Sequence, residues 1–260
     1  MDIKQEIKEF LDQKEIRESI RNNEPLEDIY KEFSGFRFNQ HRVDASEYLT
    51  AYLKELGIDP LEYFETTIPT GAFAYDTSTE GFPTFKVASI FVLPDRIEKI
   101  EVGAFESQPN LSVFSVSETT ALSRINSFAF SSCTNLRHFV FPETLTSVGS
   151  YAFSRCTNLK HLFFKGPSSI AALDSKCIDN KNNIEVITIE PKCVEAILNL
   201  IVSSNIFKKL ESLVYNGTRE DFIKECELIK VSEDSIFDFV PSLKTLSFTK
   251  SNEEAVRGDN

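Results

Sequence analysis

Residues 142–164 read PETLTSVGSYAFSRCTNLKHLFF, and the two stretches before this one repeat the same order of residue types. Each stretch contains the pair Ala-Phe, at 104–105, 129–130 and 152–153. A leucine follows each Phe after six residues, which places the leucines 25 and 23 residues apart, at Leu111, Leu136 and Leu159. Self-similarity at such a period is the sequence signature of a repeat architecture, in which each unit buries its apolar face against its neighbours.

Each leucine begins a pattern of alternating apolar residues that is typical of a β-strand. The pattern occupies six segments: 111–116, 136–141, 159–164, 184–189, 210–215 and 243–248. Successive side chains of a strand point to opposite faces, so apolar residues such as Phe139 and Phe141 are expected to point inward and the residues between them outward. Upstream, Ala72-Phe73 and residues 88–93 indicate an entry repeat.

The combination P-x-x-L/I-x-x-I/V-G-x-x-A-F-x-x-C-x-x-L, best preserved from Pro142 to Leu159, closely resembles the BspA-type (Treponema-type) leucine-rich repeat. The resemblance covers residues 94–166 well and residues 60–93 and 167–248 loosely. It implies an α/β fold, a right-handed leucine-rich-repeat solenoid with a parallel strand ladder on its concave face. It also implies protein–protein recognition or adhesion as the usual role, and no catalytic residues. We therefore assign the solenoid to residues 58–248.

Residues 1–57 lie outside the resemblance and are expected to form an N-terminal helical cap or a small helical domain. Apolar residues follow helical spacing between Ile3 and Ile20, and Pro25 fits the start of a second helix over 26–33. Asp44 with Glu47 resembles a capping box for a third helix that Gly57 ends. Beyond the central repeats, residues 191–202 and 218–228 are predicted helices, and residues 249–260 are predicted to be a disordered tail.

Composition limits the classes of partner. The 260 residues contain 28 Lys and Arg against 40 Asp and Glu, a formal net charge of −12, with 9 basic against 16 acidic residues within 1–70. An acidic protein repels phosphate backbones and anionic headgroups, so we expect neither direct nucleic-acid binding nor membrane binding. The N-terminus carries no recognisable secretory signal, which predicts a cytoplasmic protein, in the host cell if it is phage- or virus-encoded.

The sequence gives little sign of catalysis, and we predict that the chain is not an enzyme. It has no nucleophile elbow, phosphate-binding loop or zinc-protease motif, and we expect no cofactor and no metal. Five cysteines at wide spacings are expected to be reduced and structural. His138 and His161 occupy equivalent outward positions and would lie about 5 Å apart in a ladder. They form either a metal or pH-sensitive pair or, more simply, a surface ladder of repeat residues.

Two main functional classes follow. The first is a non-enzymatic module that binds a protein partner through the concave repeat face, the helical cap or both. The second is an acidic phage- or virus-encoded inhibitor that acts as a decoy for a nucleic-acid-binding host defence factor. A surface adhesin is a further alternative. The candidate binding residues on the concave face, hereafter the outward strip, are Val113, Ser115, His138, Val140, His161, Phe163, Val186, Thr188, Ser212 and Val214.

Within this strip, Phe163 is the predicted anchor of the interface. A large aromatic exposed among apolar neighbours is the type of residue that most often dominates interface energetics. The alternative is that the N-terminal helices or a late loop fold over the strip and bury Phe163 within the chain. The sequence leaves these two possibilities open.

Overall fold

A computed structural model of the protein describes residues 22, 25–33, 37–38, 41–42, 49–50, 53–54, 57–75, 87–174, 176–179, 182–203, 207–251 and 253–256. The first predicted helix, within residues 3–20, lies outside these ranges. The second is present as α1, Leu26–Phe33, and residues 49–50 and 53–54 are helical within the third. A short antiparallel pair, β1 (Arg37–Phe38) and β2 (His41–Arg42), lies between them.

The predicted strand ladder is confirmed as an eight-stranded sheet. Seven strands pair in parallel, each with the equivalent strand of the next repeat, and they are β4 (Ile90–Val92), β6 (Val113–Ser115), β8 (His138–Phe141), β10 (His161–Phe164), β11 (Val186–Ile189), β12 (Ser212–Tyr215) and β13 (Thr245–Phe248). From β8 to β13 each strand alternates half-buried and buried residues, as a half-covered strand requires. The alternation places Phe139 and Phe141 in the core.

A second, four-stranded parallel sheet was not expected from the sequence. Its strands have two residues each and are β3 (Thr67–Ile68), β5 (Lys99–Ile100), β7 (Arg124–Ile125) and β9 (Ser147–Val148). The inward residue of each strand, such as Ile125, is buried between the two sheets of the coil. Each of the three central coils thus contributes one strand to the large sheet and one to the small sheet before it reaches its Ala-Phe turn.

Two ladders of phenylalanine rings fill the space between the sheets. Phe105, Phe130 and Phe153, from the Ala-Phe pairs, stack with ring centroids 5.2 and 5.3 Å apart. Phe114 and Phe139, from the strands, stack at 5.7 Å and meet Phe130 edge-on at 4.8 and 5.3 Å. Face contacts within a ladder and edge contacts between ladders are the arrangements that aromatic quadrupoles favour. The repeated use of Phe in this chain is therefore a packing requirement of the coil.

Side-chain donors join the coils on the inside of the Ala-Phe turns. The Sγ atoms of Cys133 and Cys156 each donate a hydrogen bond of 3.0 Å, to the carbonyl oxygens of Phe105 and Phe130. In the next coil Asn182 makes the equivalent bond to Phe153, at 2.9 Å. Each of these carbonyl oxygens also accepts a hydrogen bond of 3.2–3.4 Å from a backbone N–H of its own turn, so the side chain supplies a second donor. The buried thiols of Cys133 and Cys156 thus link successive coils through the main chain.

The described N-terminal residues pack against the first coil. Tyr30 of α1 is buried and meets the ring of Phe64 edge-on at 5.3 Å, next to the short helix α2, Pro60–Tyr63. The hydroxyl of Tyr30 hydrogen-bonds to Thr50, which donates to the carbonyl oxygen of Ala72. These contacts join the helical residues to the start of the repeats.

Helices are inserted in the later coils, two of them as predicted. The predicted pair are α4 (Val194–Ser203) and α5 (Arg219–Leu228), and Thr218 caps α5 by accepting from the N–H of Asp221 at 3.1 Å. The short helices α3 (Pro167–Ala171) and α6 (Glu233–Phe239) were not predicted.

The tail differs from the sequence-based expectation. Residues 249–260 were predicted to be disordered, but Glu253–Val256 form strand β14, antiparallel to β13. The edge of β13 presents backbone N–H and C=O groups that need partners, and the chain reversal after Phe248 supplies them. Side-chain patterning carries little information about such pairing, because backbone groups provide it.

Candidate protein-binding surface

The outward strip is assembled as the sequence predicted. Backbone register aligns one column of strip residues: Val113, His138, His161, Val186 and Ser212. It aligns a second column beside the first: Val140, Phe163, Thr188 and Val214, with Ser115 on the strand before. All ten residues are half-buried. They are therefore held by their neighbours without being fully covered by the chain.

The strip extends beyond the residues chosen from the sequence. On strand β4, Ile90 is paired with Val113 and is 59% exposed, and Val92 is paired with Ser115 and is 64% exposed. Large apolar side chains with this exposure are costly to leave in water and mark interaction surfaces when they are contiguous. They were missed because a polar stretch in the sequence, residues 75–81, interrupts the repeat that precedes them. The apolar alternation of residues 88–93 was the signal that could have identified them.

The centre of the strip is a cluster of three rings. The rings of His161 and Phe163 stack with centroids 3.8 Å apart, and His138 meets Phe163 edge-on at 6.3 Å. His161 Nε2 lies 2.8 Å from Thr188 Oγ1, which fixes the imidazole orientation. Burial, reinforced by the neighbouring His138, lowers the pKa of His161 to about 4. His161 is therefore neutral near pH 7 and adds to the apolar character of the strip.

A groove of about 600 Å³ continues the strip beyond the ends of its strands. Its lining includes the apolar residues Val140 and Pro142 and the charged residues Glu118, Glu143, Lys165 and Glu190. Lys165 Nζ lies 3.3 Å from a carboxylate oxygen of Glu118 and 3.4 Å from one of Glu190. One ammonium group thus pairs with two carboxylates, and the third carboxylate of the groove is that of Glu143. The groove favours a basic side chain over an acidic one.

The described residues offer little for catalysis or metal binding. Cys133, Cys156, Cys177, Cys193 and Cys226 are all free and buried. Burial raises the pKa of the Cys156 and Cys177 thiols to about 12, far from the range of a nucleophile at neutral pH. Within the described ranges, no group of three or more His, Cys, Asp or Glu side chains could hold a metal ion. His138 and His161 are adjacent in register and lack a third ligand there.

A comparison with models of known protein families gives a match for this chain. The model of the BspA type leucine rich repeat region matches residues 66–213, in six copies. Comparison with curated proteins gives no match. Among solved structures, the chain is similar to the pneumococcal vaccine antigen PcpA, at 18% identity and a TM-score of 0.36, over 72% of this chain and 37% of that one. The chain therefore spans well under half of that antigen chain. In the part of the chain that the structure describes, every helix is too short or too polar to cross a membrane.

Proposed function

Because the chain belongs to the BspA-type leucine-rich repeat family, whose repeats generally mediate protein–protein interaction and are typically non-enzymatic, we propose that it is a non-enzymatic module that binds a protein partner through the outward strip. The observation that carries this proposal is the continuity of the strip. Register places Val92, Val140 and Phe163 on one face of one sheet, and Val92 and its neighbour Ile90 are each more than half exposed. A partner that covers this face gains the free energy of removing contiguous apolar surface from water.

Charge beside the strip indicates the kind of partner. The groove at the strand ends contains Glu118, Glu143 and Glu190 against Lys165 alone. The whole chain has a formal net charge of −12. Both features favour association with a partner that presents a basic side chain beside an apolar surface, since complementary potentials raise the association rate and suppress wrong partners.

The double variant Phe163→Ala, Val140→Ser tests the proposal. A partner is first captured from the native host by the immobilised protein and identified by mass spectrometry, and its affinity is then measured by calorimetry with purified components. Because the two side chains are neighbours in register, their truncation removes one local patch, and affinity is expected to fall about tenfold or more. The control is Leu228→Ala, which truncates an exposed apolar residue on α5 outside the large sheet.

The melting temperature separates binding from packing. Under the proposal the double variant keeps its melting temperature within a few degrees while affinity falls. If melting drops sharply and the refolded variant binds as well as the wild type, Phe163 is a packing residue and the binding site lies elsewhere on the chain.

Salt dependence separates the apolar interface from the acidic decoy. An interface dominated by apolar contacts changes little between about 0.1 and 0.5 M salt, whereas a complex formed by phosphate mimicry weakens steeply over the same range. The decoy alternative predicts in addition that the captured partner binds nucleic acid and that nucleic acid competes with this chain.

A further inference from the structure

The residue before each Ala-Phe pair has a left-handed backbone in four successive coils. Its φ is 64° at Gly71, 63° at Gly103, 61° at Phe128 and 62° at Tyr151. Glycine adopts this conformation readily, but a bulky side chain in it is an outlier that persists only where surrounding structure imposes it. The turn imposes it here, because the N–H groups of Phe128 and Tyr151 donate to carbonyl oxygens of the following coil at 3.3 and 2.8 Å.

The two aromatic side chains at this position face solvent. Phe128 is 40% and Tyr151 38% exposed, and their rings stack with centroids 5.4 Å apart. Val102, on the preceding coil, is 43% exposed. These three residues, hereafter the turn patch, follow β5, β7 and β9 and are separate from the outward strip. Glycine would satisfy the same turn with less strain and less exposed apolar surface, so the fold alone does not account for the rings.

Acidic groups lie on one side of the turn patch. Gly103 occupies the column position next to Phe128, since its N–H donates to the carbonyl oxygen of Ser127 at 3.1 Å. A carboxylate oxygen of Glu106 lies 3.3 Å from the point where a β-carbon on Gly103 would stand. Glu101 lies on the same coil and accepts a hydrogen bond of 2.6 Å from Asn126 Nδ2. At the column position beside Phe128 a glycine thus replaces the ring, and its coil provides the carboxylates of Glu101 and Glu106.

We propose that the turn patch binds an arginine side chain of a protein partner. The guanidinium group lies against Phe128 and pairs with the carboxylates of Glu101 and Glu106, while the aliphatic part of the arginine contacts Val102. Arginine suits this surface because its planar cation both stacks on aromatic rings and pairs with carboxylates. Lysine stacks less well, and the two carboxylates disfavour an anionic ligand. The proposal adds a second contact surface to the outward strip and does not depend on it.

The test uses a random peptide library displayed on phage, selected on the immobilised full-length chain. Peptides recovered by competition with free protein are expected to be enriched in arginine. The affinity of one synthetic selected peptide is then measured by fluorescence anisotropy. Phe128→Ser with Tyr151→Ser is expected to weaken binding about tenfold, and Glu101→Gln with Glu106→Gln to weaken it by a smaller factor. Replacing the peptide arginine by lysine is expected to weaken binding to the wild type more than to the Phe128→Ser, Tyr151→Ser variant.

Two controls make the outcomes decisive. Phe163→Ala, on the outward strip, is expected to bind the peptide as the wild type does, which separates this proposal from the function proposed above. The Phe128→Ser, Tyr151→Ser variant should keep the wild-type circular dichroism spectrum, because both side chains are exposed. Recovery of no peptide, of peptides without arginine enrichment, or of peptides that bind this variant as tightly as the wild type would overturn the proposal.

Discussion

Phe130 is the central ring of one ladder and contacts two rings of the other, and its removal is expected to cost more stability than that of any exposed aromatic. Its ring stacks on Phe105 and Phe153 at 5.2 and 5.3 Å and meets Phe114 and Phe139 edge-on at 4.8 and 5.3 Å. Phe→Ala in a core costs about 3–5 kcal/mol, and aromatic pairs add about 0.5–1.5 kcal/mol each beyond their area. Because both neighbouring coil interfaces lose contacts, we expect Phe130→Ala to cost about 5 kcal/mol.

That cost is a large part of the total stability of a domain, about 5–15 kcal/mol. For a chain of this size, about 2–4 °C of melting temperature corresponds to each kcal/mol, so the melting temperature should fall by about 10–20 °C. The assay is thermal and urea unfolding followed by circular dichroism. Phe130→Leu keeps much of the apolar volume but loses the ring contacts and should fall between the wild type and Phe130→Ala.

The matched control is Phe128→Ala, which removes the same side chain two residues earlier in the sequence. Phe128 is exposed and contacts Tyr151 in a single stacked pair, so we expect a cost of about 1 kcal/mol or less. Equal losses for Phe130→Ala and Phe128→Ala would refute the ladder as the source of stability. A Phe130→Leu variant as stable as the wild type would show that ring geometry contributes nothing beyond apolar volume.

Two further predictions concern titratable groups. The pKa of His161 is lowered from 6.5 to about 4. Between these pH values the unfolded chain therefore binds the proton more tightly than the folded chain. The free energy of unfolding falls as the pH decreases through this window. His161→Gln should lose less stability than the wild type from pH 7 to about pH 4 in urea titrations, and parallel losses would contradict this explanation. Thiol titration of denatured, unreduced protein should find all five cysteines free. The thiols of the native protein should react slowly at pH 8, because burial raises their pKa values, to about 12 at Cys156 and about 11 at Cys226. Three or fewer free thiols would argue against an intracellular location.

The sequence alone determined the repeat, the large sheet and the columns of the outward strip. The reason is that equal spacing between repeats fixes the register of a parallel ladder. Once His138 and His161 occupy equivalent positions in their repeats, they must be neighbours in the sheet, as they are. Alternation within each strand then decides which residues, such as Phe139, are buried and which, such as Val140, line the strip.

Only the tertiary structure decided the features that depend on backbone groups of another coil. The two-residue strands of the small sheet are too short to leave a pattern, and the hydrogen bonds from Cys133 and Cys156 depend on which carbonyl lies opposite. The left-handed backbone at Phe128 and Tyr151 is imposed by carbonyl groups of the next coil, against the intrinsic preference of both residues. Strand β14 forms because β13 presents an unsatisfied edge. In each case the deciding interaction is made by the main chain, which has the same chemistry in almost every residue and therefore leaves little trace in the sequence.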